Sequence, residues 1–478
     1  MVSHPIRQAL VLAHARVDGV PAAALRTGGI PHLVRVLLTL KRRDVRRVWV
    51  VAAGPDDRAR LEAMLADDPR LDALEIRFVE APADANRADA LAAANGRLRG
   101  DFFLVEADRV FALTVLDDLL VAPLDGVTLA VATGDHPRVD GPNLPWSVRD
   151  GKIHPGRRPA ERTPVPPARY AGLATCDDTF LEVVAEMRDA TDPFSAAVEH
   201  LAKLGCARAI VAGPRAFSIR LETKADLRRA EDALLDSLRK PDVDGPIART
   251  INRNVSLALT RRLMHLPVPP NAVTVFNLFI ALAAGATAAF ATPATPWLLG
   301  VGAVLWQVAS MLDGTDGELA RLKFQTSKAG EWLDTVVDDL GRVAFFLGVG
   351  HGTATVFQAP LYWNLMLVTV AIQIALNVAA YRKLLEMGAG SHLALAWTED
   401  REDGGPKGPI ARFFARIEFM ARRDYYIFMF MVVTLLGFVK VAIVCTFLTT
   451  LIVLGHDVLR PRKPREARVL QPILLRDE

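Results

Sequence analysis

Asp313-Gly-Thr-Asp316-Gly317-Glu-Leu-Ala320-Arg321, eight further residues, then Gly330-Glu-Trp-Leu-Asp334-Thr-Val-Val-Asp338 is the stretch that decides how the chain is read. Asp313 and Asp316 are three residues apart at the end of one apolar run, and Asp334 and Asp338 are four apart at the start of the next. Each pair therefore shares one helix face. A short connection makes the two helices antiparallel neighbours, so four carboxylates can converge near one membrane edge. Four unpaired anions would repel one another and lose hydration, so cations must accompany them. Oxygen ligands suit hard ions such as Mg²⁺, Mn²⁺ or Ca²⁺, and no His or Cys competes for the site. Ionisable residues inside spans are costly and usually functional.

Outward from this stretch, residues 272–458 hold long apolar runs with little charge, whereas residues 1–245 alternate short apolar and charged segments as a soluble α/β domain does. The chain has 478 residues, 51% of them hydrophobic, enough for at least two domains. Spans are expected at 272–291, 297–312, 335–350, 361–381, 425–439 and 441–454. Only Gly437 and Lys440 divide the last two, so five spans compete with six. With six, and with the N-terminal domain in the cytoplasm, Arg321, Lys323, Lys328, Arg382, Lys383, Arg412, Arg416, Arg422, Arg423 and the 460–468 tail all fall on the cytoplasmic side. That asymmetry is the one the positive-inside rule demands. Residues 247–266, with Arg249, Arg253, Arg261 and Arg262, read as an amphipathic helix on the membrane surface, a solvated connector being the alternative.

The net charge of +3 is too small to argue for nucleic acid, and no basic stripe with interleaved aromatics is present, so no nucleic-acid partner is expected. The three isolated cysteines form neither a disulfide framework nor a metal set. Met1 to Ala15 reads as a first strand, not as a signal peptide. Further strands are expected at 48–53, 74–79, 102–106, 127–132, 170–174 and 209–212, with helices such as 32–43 and 58–66 between them, in a mostly parallel, helix-covered sheet. A charged helix, 224–240, leads to the linker 241–246.

The carboxylate stretch matches, with no departure, the signature Asp-x-x-Asp-Gly-x-x-Ala-Arg, eight residues, Gly-x-x-x-Asp-x-x-x-Asp, and so resembles the CDP-alcohol phosphotransferases over about residues 246–460. Pro270-Asn271-Ala-Val-Thr274 is similar to the entry of that family's first span. The resemblance implies that Asp313, Asp316, Asp334 and Asp338 hold two divalent ions, Mg²⁺ or Mn²⁺, beside the donor pyrophosphate. It also implies CDP binding by Asp313, Gly317, Ala320, Arg321, Gly330 and Thr274, with Asp338 as base, and a homodimer. Asp338 cannot be both a tight ligand and an efficient base, so it is expected at the edge of the metal site, serving mainly as base. Arg423 is a candidate for an acceptor phosphate, a plain membrane-edge cation being the alternative. Asp339 is expected to pair with Arg342 or a neighbouring helix.

In the first half, Phe103-Leu-Val-Glu-Ala-Asp108 and Trp146-Ser-Val-Arg-Asp-Gly-Lys-Ile153 resemble sugar-phosphate nucleotidyltransferases, which makes Asp108 a candidate metal ligand. The whole resembles bifunctional enzymes that join an inositol-1-phosphate cytidylyltransferase to a di-inositol-phosphate phosphate synthase. The departures are in the chemistry. The glycine-rich phosphate loop reads Ala13-His-Ala-Arg-Val-Asp-Gly19, the expected Lys falls in Ala22-Ala23-Ala24 with Arg26 the nearest cation, and Arg220 stands where a second metal-binding Asp is expected. The fold is expected to be kept and cytidylyl transfer lost.

The fold class expected is an N-terminal α/β, Rossmann-like nucleotidyltransferase-like domain fused to an all-α six-helix transmembrane domain. The boundaries are 1–225, a helix end and linker at 226–245, the membrane domain at 246–460 and a basic cytoplasmic tail at 461–478. The function expected is metal-dependent transfer of a phospho-alcohol group from a CDP-linked donor to a hydroxyl acceptor at the cytoplasmic face of the bilayer. A phospholipid synthase using CDP-diacylglycerol is the first alternative, and a non-catalytic membrane scaffold or ion carrier the second. A carrier would spread acids along a pathway, whereas the fourth span offers only Gln373 and Asn377 as strongly polar residues.

Overall fold

The computed structural model describes residues 6–134, 136–141, 144–155, 168–240, 244–396, 422–459 and 463–464. The chain divides into two compact units, Met1–Ser237 and Leu238–Glu478.

The first unit is built on a nine-stranded sheet. Its strands are β1 (Gln8–Ala13), β2 (Arg47–Ala53), β3 (Glu75–Ala81), β4 (Phe102–Glu106), β6 (Val127–Thr133), β7 (Trp146–Arg149), β8 (Lys152–Pro155), β9 (Ala168–Cys176) and β10 (Ala207–Val211), in the order β7-β8-β10-β6-β9-β4-β1-β2-β3. A separate ladder pairs β5 (Arg109–Phe111) antiparallel with β11 (Ser218–Arg220). The run β4-β1-β2-β3 is parallel, as is the β6-β10 pair. The sheet departs from the mostly parallel expectation at β9, which runs antiparallel to both β4 and β6, and at the β7-β8 hairpin. Buried on both faces, β1 and β2 are near-continuous runs of Val, Leu and Ala, as parallel strands under helices must be.

Helices α1 (His32–Lys41), α2 (Gly54–Leu65), α3 (Arg87–Ala94), α4 (Leu113–Val121), α5 (Asp178–Glu186), α6 (Pro193–Lys203) and α7 (Lys224–Ser237) complete the unit. Phe180 and Phe194, edge to face at 5.8 Å, pack α5 and α6 into a core shared with Leu10, Phe102 and Leu129. Local caps set several starts: Asn86 and Asp89 form a reciprocal capping box on α3, and Asp177 accepts from the Phe180 N–H on α5.

The second unit is helical. A turn of wide helix at Ala248–Asn252 runs into α8 (Arg253–Leu263). There follow α9 (Pro270–Ala289), α10 (Trp297–Leu312), α11 (Gly314–Lys323), α12 (Lys328–Phe357), α13 (Pro360–Met387), α14 (Arg423–Leu435) and α15 (Val439–Leu459). Among the described residues, three helical stretches are long and apolar enough to cross a membrane, Pro270–Ala289, Trp297–Lys323 and Pro360–Met387, and Val439–Gly455 is a shorter apolar one. α14 and α15 separate at Gly437, whose φ of 88° breaks the helix. The expected cations Arg412 and Arg416 and the 465–478 part of the tail lie outside the described residues.

Small residues bring α9 and α12 together. A Cβ on Gly348 would lie 2.0 Å from the Gly285 carbonyl oxygen, and one on Gly352 would lie 1.9 Å from that of Ala288. Trp306 of α10 stacks on Phe345 of α12 at 4.1 Å and meets Phe430 of α14 edge to face at 5.7 Å. This packing holds α12, which carries two of the acids, against α9, α10 and α14.

Candidate active site

α10 and α11 meet at Asp313, and the connection after α11, opened by Phe324 in the left-handed conformation, turns the chain into α12. Ser327 starts that helix by accepting from the Gly330 N–H at 3.0 Å. The result brings one carboxylate oxygen each from Asp313, Asp334 and Asp338 within 4.8 Å of one another. Asp316 stands beside this trio: the Thr274 hydroxyl of α9 donates to its Oδ2, and the Gly317 N–H donates to its Oδ1 at 2.6 Å. The like charges of Asp313, Asp316 and Asp338 all act on Asp334.

Arg423, at the start of α14, is bidentate on Asp338, with Nη2 2.8 Å from Oδ1 and Nη1 on Oδ2. Nη1 also lies 3.5 Å from Asp313. Asp338 thus sits within the carboxylate trio and not only at its edge, and Arg423 touches the acids directly. Arg423 is in contact with the acids, while Arg342 acts on Asp338 and Arg321 on Asp316 through charge, so the four acids still outnumber the guanidinium groups around them. Hard divalent cations with oxygen ligands fit that donor set, and neither His nor Cys enters it.

Around the acids, Gly330 faces Asn271, whose Oδ1 would stand 3.3 Å from an added Cβ, so the Pro-Asn turn and the α12 start close on one another. Arg321 lies along α11 with Nη1 3.3 Å from a Cβ at Gly317, and its Nε has no hydrogen-bond partner among the described residues. Lys240 is pushed down to about 7 by burial, with the charges of Arg321 and Arg253 adding to the effect. A small cavity behind the trio, about 20 Å³, is bounded by Asp338, Arg342, Arg423, Asn277 and Ser310.

Asp339 faces away from the trio, as helical spacing requires. It pairs with Arg342 at 3.2 Å and accepts from the Tyr381 hydroxyl at 2.6 Å, with His392 Nε2 at 3.1 Å. The link to Arg342 follows from the i, i+3 spacing. Tyr381 and His392 carried no local signal, because their contact with Asp339 depends on how α13 and the turn after it pack.

In the first unit, Asp108 is buried at the turn between β4 and β5. The β5-β11 register places Arg220 opposite Arg109, and Arg220 Nε donates to Asp108 Oδ2 at 2.8 Å. The neighbouring acids have cationic partners of their own: Asp140 accepts from the Arg220 N–H and pairs with Arg229, Glu222 pairs with Arg220, and Glu106 pairs with Arg87 and Arg109. A carboxylate already bound to a guanidinium is a poor fit for a divalent ion. The candidate phosphate-loop cations are also engaged: Arg16 pairs with Asp57 at 2.8 Å, and Arg26 donates to the Gly29 carbonyl at 2.5 Å. Burial pulls the His14 imidazole below its ordinary value, against Asp108 and Glu106.

The second unit carries a CDP-alcohol phosphotransferase domain: the CDP-alcohol phosphatidyltransferase family model matches residues 267–455, the span that contains all four acids. That domain indicates a transferase; the matched family works with a CDP-alcohol donor, a hydroxyl acceptor and divalent metals, and the acidic trio lies inside the match. Among particular proteins, the chain is 26% identical over 441 residues to the "Bifunctional IPC transferase and DIPP synthase" of Aquifex aeolicus, covering 91% of each chain. It is 26% identical over 371 residues to the protein of the same description from Archaeoglobus fulgidus, covering 76% of this chain and 70% of that one. Against the Rubrobacter xylanophilus protein so described, identity reaches 35% over 136 residues, 28% of this chain and 29% of that one. Among solved structures, the inositol-1-phosphate CTP transferase from T. maritima matches with 17% identity and a TM-score of 0.40, covering 48% of this chain and 95% of that one.

Proposed function

We propose that the protein transfers a phospho-alcohol group from CDP-inositol to an inositol phosphate and releases CMP, as the description of its full-length relatives as DIPP synthases suggests. The observation that carries this reading is the convergence of Asp313, Asp334 and Asp338 within 4.8 Å, next to Asp316, inside the family match. In this reading Asp313, Asp316 and Asp334 would be the tight ligands of two Mg²⁺ or Mn²⁺ ions, with Asp338 at most a weak ligand beside them and mainly the base. Bound there, such ions would supply neutralisation of charge on the phosphoryl oxygens and the departing CMP.

The protein's own groups do the rest. Arg321 contacts the donor phosphates. Gly317, Ala320 and Gly330 leave room for the nucleotide, and Thr274 orients Asp316 through its hydroxyl. Asp338 accepts the proton of the acceptor hydroxyl, whose oxygen then forms a bond to the β-phosphorus while the bond from that phosphorus to CMP breaks. Arg423 binds the acceptor's phosphate, moving from Asp338 to the incoming anion and freeing the carboxylate. Bidentate guanidinium geometry suits either partner.

The domain limits proposed are 1–225 for the N-terminal domain and 246–460 for a six-span membrane domain. The N-terminal domain, the site and the 461–478 tail face the cytoplasm, and the protein is a homodimer. The N-terminal domain has lost cytidylyl transfer: the Arg220–Asp108 ion pair supports this, because a guanidinium stands where a cation would have to bind. Pyrophosphate release from CTP with inositol 1-phosphate, insensitive to Asp313→Asn, would overturn that part. Labelled CMP release by purified protein with Mg²⁺ tests the main reading, with CDP-inositol expected to be used and CDP-diacylglycerol not.

A further inference from the structure

The segment from Asp244 to Thr260 makes polar contacts to the acid-bearing helices that the chemistry above does not use. Arg253 lies between two carboxylates: its Nη2 and Nε donate to Asp244 at 2.6 and 3.1 Å, and its Nη1 donates to Glu318 Oε1 at 2.8 Å. The Ser256 hydroxyl donates to the same Glu318 oxygen at 2.7 Å, and the Thr260 hydroxyl to Oε2 at 2.6 Å. Residues 253, 256 and 260 are spaced three and four apart, so all three donors share one face of α8.

Glu318 and Thr260 are wholly inaccessible to solvent. Glu318 follows Asp316 by two residues, about 200° round the helix, and therefore occupies the back of the helix that presents Asp313 and Asp316. A carboxylate taken out of water costs several kcal/mol unless its lone pairs are met. Among the described residues every donor that meets them comes from one segment, so the contact is satisfied only over a narrow range of rotation of α11.

The same segment has a second anchor. Asp424 Oδ2 accepts from the Ala248 N–H at 2.8 Å, and a Cβ on Gly245 would lie 2.3 Å from its carboxylate, so a side chain there would have to displace it. Asp424 directly follows Arg423, whose guanidinium rests on Asp338 and Asp313.

We infer that Glu318 and Asp424 are positioning residues through which the 244–260 segment fixes the rotation of α11 and the start of α14, and with them Asp313, Asp316 and Arg423. The inference rests on the reading of the four acids as a divalent-metal site. Displacements of about 1 Å at such a site cost on the order of 100-fold in rate.

The test uses the full-length protein in detergent, with Mn²⁺ binding followed by electron paramagnetic resonance in the absence of donor. CMP release is followed in parallel with whichever of CDP-inositol and CDP-diacylglycerol the protein turns over. Thr260→Val removes a hydroxyl at constant shape and Glu318→Gln removes a charge. Both are expected to weaken Mn²⁺ binding by about 10-fold or more, and Thr260→Ser to restore it. Asp424→Ala is expected to raise the acceptor KM by about 10-fold with a smaller change in kcat, and Asp424→Asn, which keeps the acceptor oxygen, to stay near wild type. Unchanged Mn²⁺ affinity in both Thr260→Val and Glu318→Gln, an unchanged acceptor KM in Asp424→Ala, or losses that only follow the melting temperature would overturn the inference. Asp313→Asn separates the two levels. Full CMP release by that variant removes the metal-site reading itself, whereas an inactive Asp313→Asn beside wild-type Glu318 and Asp424 variants removes only the positioning.

Discussion

Replacing Gly348 with alanine adds one methyl group on α12, ten residues and about 15 Å along the helix from Asp338. It touches no substrate in this account. The new Cβ would stand 2.0 Å from the Gly285 carbonyl oxygen of α9. Restoring an ordinary van der Waals separation requires the two helices to part by about 1 Å or more. Overpacking of this kind costs about 1–3 kcal/mol of stability. The effect on rate should be larger, because α12 carries Asp334 and Asp338 while α9 carries Thr274, which bonds Asp316. Opening that crossing moves the two halves of the carboxylate site against each other, and a shift of that size costs roughly 100-fold. The assay is CMP release at saturating Mg²⁺ together with thermal unfolding in detergent. Gly455→Ala, where an added Cβ meets nothing within 4 Å, is the control and should behave as wild type. Wild-type turnover and melting temperature in Gly348→Ala would refute the claim that close α9–α12 packing sets the site.

Chelation by EDTA should abolish CMP release, and added Mg²⁺ or Mn²⁺ should restore it; activity that survives exhaustive chelation would exclude a metal role for the four acids. In the first unit, burial and then the charge of Arg35 push His32 down to about 3. Below about pH 6.5 the unfolded chain takes up a proton there that the folded unit refuses, so stability should fall between about pH 6.5 and 3 by up to about 1.4 kcal/mol per pH unit. His32→Gln should flatten that slope in acid titrations of unfolding, and an unaltered slope would contradict the assignment. Arg220→Ala leaves the Asp108 carboxylate, with only 7% of its side chain accessible, without its guanidinium. The expected loss is roughly 1–3 kcal/mol, less than for a fully buried pair because Arg220 is 39% exposed; unfolding at the wild-type denaturant midpoint would argue against it.

The carboxylate site was legible because its information is local. Spacings of three and four put Asp313 with Asp316 and Asp334 with Asp338, and a short connection suffices to oppose them. Residues that reach the site from further along the chain were less so. Arg423 could be proposed as a cation near the site, but its bidentate hold on Asp338 depends on the packing of α14 against α10 and α12. Glu318 filled a variable position of the signature, and only the fold reveals that Arg253, Ser256 and Thr260 all point at it. The nine-stranded sheet shows the same limit. β1, β2 and β4 are continuous apolar runs that announce buried parallel strands, whereas the reversal of β9 and the β7-β8 hairpin are set by contacts distant in sequence. The altered nucleotide-handling residues of the first unit were visible one by one. That Arg220 lands on Asp108 follows only from the β5-β11 register.

CMP release from CDP-inositol, by purified protein with Mg²⁺ and inositol 1-phosphate as acceptor, bears most directly on the central claim when wild type and Asp338→Asn are compared. The wild type is expected to form CMP and the variant to lose about 100-fold or more, because its amide cannot accept the hydroxyl proton. CMP release by Asp338→Asn at the wild-type rate, or none by the folded, metal-loaded wild type, would contradict it.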